Sequence, residues 1–268
     1  MEFKDKVKVE LTEILKQYAS GNAEVVRVYF SRPRAREKDI AWIKRQAARE
    51  LTTAWKFLDN LKELRPKFDQ GVGRRDYEGL ARAFQEELEH YRLFADILEQ
   101  ELHEAVNPAE LLTIGVWSEH KDLPENSKKA RYERELRTSG DRLAKIALGI
   151  GEGGGSGWLI AGSRISGGPL EDRLARVMGE IAAEEVYHGP IHIAEAAKQL
   201  RTEEELEAVK RILREYLRYH LRMKNEQFGY PLSEARMGEI DEGRFEPLEG
   251  IDFTPAEQDR GGLAAYSL

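Results

Sequence analysis

The chain has 268 residues with 42 Lys and Arg against 49 Asp and Glu, a formal charge of −7, and 41% hydrophobic residues. That balance suits a folded helical protein; it is too apolar for a disordered chain and lacks the basic surface a general nucleic-acid binder needs. Cysteine is absent, which excludes disulfides, thiolate zinc sites, iron–sulfur ligation and thiol nucleophiles.

In chain order, Met1-Glu-Phe-Lys-Asp-Lys carries no apolar stretch behind a basic start, so no secretory signal is expected. No run approaches the ~18 apolar residues of a membrane span. The expectation is a cytoplasmic protein with no nucleic-acid and no membrane partner. Residues 1–20 read as a short amphipathic helix (Val7, Leu11, Ile14, Leu15, Tyr18) closed by Ser20-Gly21-Asn22. Val25-Val-Arg-Val-Tyr-Phe30 is the one β-like run, and basic Arg32-Pro-Arg-Ala-Arg36 is a linker.

From about Asp39 to Leu64, Ile43, Ala47, Ala54, Leu58 and Leu61 recur at helical spacing, until Pro66, Gly71 and Gly73. A second helix is expected from about Asp76 to Val106, before Asn107-Pro108. Residues 108–140 read as a long connection with one short helix and a loop at Leu123-Pro124-Glu125-Asn126. A third main helix starts near Asp141, and a fourth runs from about Leu170 to Leu200. Thr202-Glu-Glu-Glu205 is a capping box that opens a fifth helix reaching about Phe228. The expected organisation is an N-terminal helix and linker (1–38), a bundle (39–200), an additional helix (201–230) and an irregular tail packed on the bundle (231–268).

Glu-x-x-His occurs twice, as Glu87-Leu-Glu-His90 and Glu185-Val-Tyr-His188, each preceded by another acid, Glu86 or Glu184. Residues i and i+3 share a helix face, so each copy aims a carboxylate and an imidazole at one point. Glu is roughly one residue in seven, so the six His would meet about one such motif by chance, and placement has to decide. Both copies fall on apolar stripes: Leu80, Ala83, Phe84, Glu87, His90, Tyr91, Phe94 and Ile97 on one, and Leu174, Met178, Ile181, Glu185, His188 and Glu195 on the other. Charge within such a stripe is costly unless paired or metal-bound. One helix upstream of each copy lies a buried-looking acid. Glu50 stands between Ala47 and Ala54, and Glu152 is the one acid between Asp141 and Glu171. Two Glu-x-x-His helices and two single-Glu helices describe a dinuclear metal site in a four-helix bundle.

These six positions, Glu50, Glu87, His90, Glu152, Glu185 and His188, make the chain resemble the ferritin-like di-iron carboxylate superfamily over about residues 39–200. The resemblance is closer to its oxidase, oxygenase and ribonucleotide-reductase small-subunit branches than to minimal ferritins. It implies an all-α fold, a ferritin-like four-helix bundle with additional N- and C-terminal helices, and two Fe ions, with Mn/Fe or two Mn as alternatives. In those branches an acid before the ligand Glu bonds a ligand His, which makes Glu86 and Glu184 the implied orienting carboxylates. The chain departs from them in placing Glu89 and Tyr187, not Arg, before the ligand His residues.

Gly149-Ile-Gly151-Glu-Gly-Gly154 formally matches a dinucleotide fingerprint, but needs a strand before it. In a helix the same glycines either open a substrate or dioxygen pocket beside Glu152, with Gly155 at its wall, or let helices pack closely. Pro190 should kink the fourth helix. His192 and Glu195 are candidate pocket residues or extra ligands, and Tyr91 and Tyr187 either pack in the core or serve redox chemistry. His103, His120 and His220 have no partner spacing. The leading functional expectation is dioxygen-dependent oxidation or oxygenation of a small organic substrate, with an external electron donor and a homodimer as further expectations. A ferroxidase or iron-storage protein, a dimanganese catalase acting on peroxide, and a non-enzymatic helical interaction protein are the alternatives.

Overall fold

The computed structural model describes residues 2–70, 73–116, 119–250 and 253, and among these the chain is all-α, without a strand. The helices are α1 (Phe3–Phe30), α2 (Arg36–Leu64) with a following 3-10 turn (Arg65–Gln70), α3 (Arg74–Gln100), α4 (Pro108–Leu112), α5 (Pro124–Thr138) and α6 (Arg142–Gly154). They continue as α7 (Gly157–Gly162), α8 (Pro169–Glu185), α9 (His188–Gln199), α10 (Glu203–Gln227) and α11 (Glu234–Asp241). Among the described residues no helix is long and apolar enough to cross a membrane. Gly71 and the end of the tail, after 253, lie outside the described residues. The chain forms two compact units: Met1–Arg34 with Ser118–Glu257, and Ala35–Trp117 with Gln258–Leu268.

In the first unit α1 is the central element, packed on α6, α7, α9, α10 and α11. It corrects the expectation of a short helix followed by a β-like run, because it continues unbroken to Phe30. The helical repeat of buried Val7, Leu11, Leu15, Tyr18, Asn22, Val25, Val26 and Tyr29 runs straight through the β-branched segment. Gly21 is a contact position and no stop. A Cβ there would meet Ile240 Cγ2 at 3.0 Å and Leu221 Cδ2 at 3.2 Å. The Asn22 amide donates to the carbonyls of Tyr18 (2.8 Å) and Gly154 (3.3 Å), fastening α1 to the end of α6.

Three further expectations shift. The expected loop at Leu123–Asn126 is the start of α5. Pro124 fills the first turn, where it loses no hydrogen bond, and the Glu226 carboxylate accepts from the N–H groups of Glu125 (3.0 Å) and Asn126 (2.9 Å). The third helix stops at Gly154 and resumes as α7, the Ser156 hydroxyl donating to the Gly153 carbonyl at 2.7 Å in between. The fourth helix is two, α8 and α9, because Pro190 has no N–H for the Val186 carbonyl. The fifth matches its reading, with Thr202 Oγ1 accepting from Glu205 N–H at 3.2 Å. In the tail, residues 234–241 are helical, capped by Ser233.

The C-terminal turn of α10 buries four consecutive polar residues, Lys224, Asn225, Glu226 and Gln227. Each has a task. Lys224 Nζ lies 3.9 Å from the Trp158 ring centroid and donates to Gln227 Oε1. Asn225 pairs with both N–H and C=O of Leu232, and Glu226 caps α5.

The second unit is the antiparallel hairpin of α2 and α3, with α4 against α2. Trp42 meets Phe94 edge-on at 6.4 Å. The hairpin is fastened where Lys44 pairs with Glu104 at 2.5 Å and the Arg36 guanidinium donates to the Leu102 carbonyl. α3 ends at Gln100 and not near Val106. His103 takes a left-handed conformation (φ 47°), and Leu102 turns into the core.

Candidate metal centre

Within the α2–α3 hairpin the chain brings together Glu50, Glu87 and His90, with one ligand atom from each all within 4.8 Å of one another. The local sequence explains the convergence. Glu50 stands on the buried stripe Ile43, Ala47, Leu51 and Ala54 of α2, and His90 on the stripe Leu80, Ala83, Phe94 and Ile97 of α3. Glu87 precedes His90 by three residues, so both project from one face. Glu50 and His90 are 8% and 2% exposed, and Glu87 Oε2 is shut off from solvent. The Gln46 amide, also buried, donates to Glu50 Oε1 at 2.5 Å.

Two carboxylates and an imidazole gathered out of water suit a hard divalent cation. The carboxylates repel each other unless a cation or a proton is shared. The three residues could therefore hold such a cation.

The other three residues belong to the first unit. His188 Nδ1 lies 3.1 Å from Glu185 Oε2, both half-buried, and the pair survives the break between α8 and α9. It survives because Val186 and Tyr187 keep right-handed helical backbone angles. Glu152 lies on α6, and its side chain is outside what the structure describes. Of the implied orienting acids, Glu86 is half-buried and Glu184 exposed.

No protein family, curated protein or solved structure matches the chain. The site therefore has to be read from its own geometry.

His192 packs against α6, its Nδ1 3.0 Å from where a Cβ on Gly149 would stand. Burial and the neighbouring His188 push its pKa down to about 4. Glu195 pairs with Lys198 at 2.8 Å. Tyr91 is half-buried, and desolvation with the nearby Glu99 carboxylate raises its pKa. Tyr187 is 39% exposed, which corrects its reading as a core residue.

The glycine run that formally matches a dinucleotide fingerprint, Gly149–Gly154, lies in α6, with no strand before it among the described residues. Close packing accounts for Gly151, Gly153, Gly154 and Gly157. A Cβ on Gly151 would meet the Tyr216 ring at 2.5 Å, on Gly153 the Gly189 Cα at 2.3 Å, and on Gly154 a Leu217 methyl at 2.3 Å. At Gly157 it would stand 1.9 Å from the Ala19 carbonyl oxygen. Gly155, the residue proposed for a pocket wall, is half-buried.

Gln46 is a site residue that the Glu-x-x-His pattern does not point to. Its signal was available: an amide one turn before Glu50, on the same apolar stripe.

Proposed function

We propose that the chain is a two-metal carboxylate oxidoreductase, with Glu50, Glu87 and His90 holding one metal and Glu152, Glu185 and His188 a second. The observation that carries this reading is the buried convergence of Glu50, Glu87 and His90. The second triad is taken from the repeated sequence pattern, supported by the contact between Glu185 and His188. Iron is the proposed metal, and dioxygen-dependent oxidation of a small organic molecule the proposed reaction, within a ferritin-like arrangement of helices. Bound iron would supply the electrons and the Lewis acidity for dioxygen chemistry. The protein's share is to hold two carboxylates and an imidazole in fixed positions, largely buried within the hairpin.

The test is metal content by mass spectrometry after expression with iron and manganese both supplied. About two metals per chain are expected, falling in Glu87→Ala and in Glu185→Ala while far-UV circular dichroism stays helical. Iron with substrate-dependent dioxygen uptake would support the oxidase reading, whereas manganese with peroxide disproportionation would replace it by a catalase. Metal content that survives both substitutions would sink the proposal.

A further inference from the structure

We infer that Gln46 is a positioning residue that fixes Glu50 for single-oxygen metal binding. This rests on the metal reading above and deepens it. Gln46 and Glu50 stand one turn apart on α2, both buried, and Gln46 Nε2 lies 2.5 Å from Glu50 Oε1. A carboxylate only accepts hydrogen bonds, so the amide must present its NH2 group and not its oxygen, which settles the orientation of the side chain. With Oε1 engaged by that donor, Oε2 is the oxygen left for a cation. That donor occupies one lone pair of Oε1 and so favours binding of Glu50 through one oxygen over chelation through two.

The choice of residue matters for charge as well. A Lys or Arg at position 46 would also orient the carboxylate but would neutralise it, weakening its pull on a cation. The amide donates a hydrogen bond and adds no charge. It thus satisfies one carboxylate oxygen inside the apolar hairpin while leaving the negative charge for the metal.

Cobalt(II) serves as the probe, because its visible absorption reports ligand number and geometry without requiring turnover. Metal-free protein is titrated with cobalt under anaerobic conditions, and Glu50→Ala and His90→Ala are expected to abolish the hairpin's cobalt spectrum. Gln46→Met keeps the volume and removes the donor. It should bind cobalt about 10–100-fold more weakly, the usual effect of losing a ligand's hydrogen-bond partner, with an altered visible spectrum as Glu50 gains freedom to use both oxygens. Gln46→Asn, which withdraws the amide by one methylene and stays polar, should show the same loss and covers the case in which Gln46→Met folds poorly.

If either folded variant binds cobalt with wild-type affinity and spectrum, and differs only in its urea midpoint, Gln46 is merely structural and the inference falls while the metal reading stands. A wild-type chain that binds no cobalt at Glu50, Glu87 and His90 overturns both.

Discussion

Single atoms decide several positions. At Gly157 a methyl group would collide with the Ala19 carbonyl, and backbone cannot step aside as a flexible side chain can. Gly157→Ala should therefore destabilise by about 1–3 kcal/mol or more, read as a lowered thermal midpoint. Gly179, in the middle of α8, is the control. An added Cβ there meets only Ser163 Cβ, at 3.4 Å, so Gly179→Ala should stabilise by roughly 0.5–1 kcal/mol through helix propensity and lost unfolded-state freedom. His192 makes a prediction in pH. Its folded-state pKa of about 4 lies below the ordinary 6.5, so as pH falls the unfolded chain takes the proton first. Its contribution is intact above pH 6.5 and is lost between 6.5 and 4, at up to about 1.4 kcal/mol per pH unit. Urea unfolding of metal-free protein at pH 7 and pH 5 measures the slope, and His192→Asn should flatten it. An unchanged slope in that variant would assign the acid sensitivity elsewhere.

The helices divide by how local their signals are. α2, α3 and α10 were legible because apolar periodicity and the Thr202 cap act within a few residues of the chain. The Glu50, Glu87 and His90 convergence was legible for the same reason, through spacing on two adjacent helices. What escaped depends on distant partners. Ser20-Gly21-Asn22 looks like a terminator until Leu221, Ile240 and Gly154 are packed against it. Val25–Phe30 has strand-like composition, and only burial of Val25, Val26 and Tyr29 keeps it helical. The start of α5 is capped by Glu226, about a hundred residues further on, and no local pattern announces that. Glu226→Ala should accordingly lower stability by about 1–3 kcal/mol. It should also raise amide hydrogen exchange at Glu125 and Asn126 in particular; protection there equal to wild type would mean that Pro124 alone starts the helix. Pro190 was read correctly as a disruption, but its consequence, two helices meeting inside Glu185-Val-Tyr-His188, needed the backbone itself.

At the scale of the molecule, the residues that converge on a common point lie in one compact unit, Ala35–Trp117, and their metal should be felt there first. Manganese(II) at 100 times its dissociation constant should add about 2.7 kcal/mol of stability and slow hydrogen exchange along α2 and α3. Binding without added protection in that hairpin would remove Glu50, Glu87 and His90 from the site. The lysine stacked on Trp158 has an optical consequence. Trp158 is the single tryptophan of the first unit, whereas Trp42 and Trp55 belong to the hairpin unit. An ammonium 3.9 Å from its ring centroid should displace the emission colour of Trp158 from that of Trp42, which faces Phe94. The chain thus carries a built-in fluorophore for each unit. With Trp55 and Trp117 replaced by Phe, the two colours would report whether the halves melt together or one after the other.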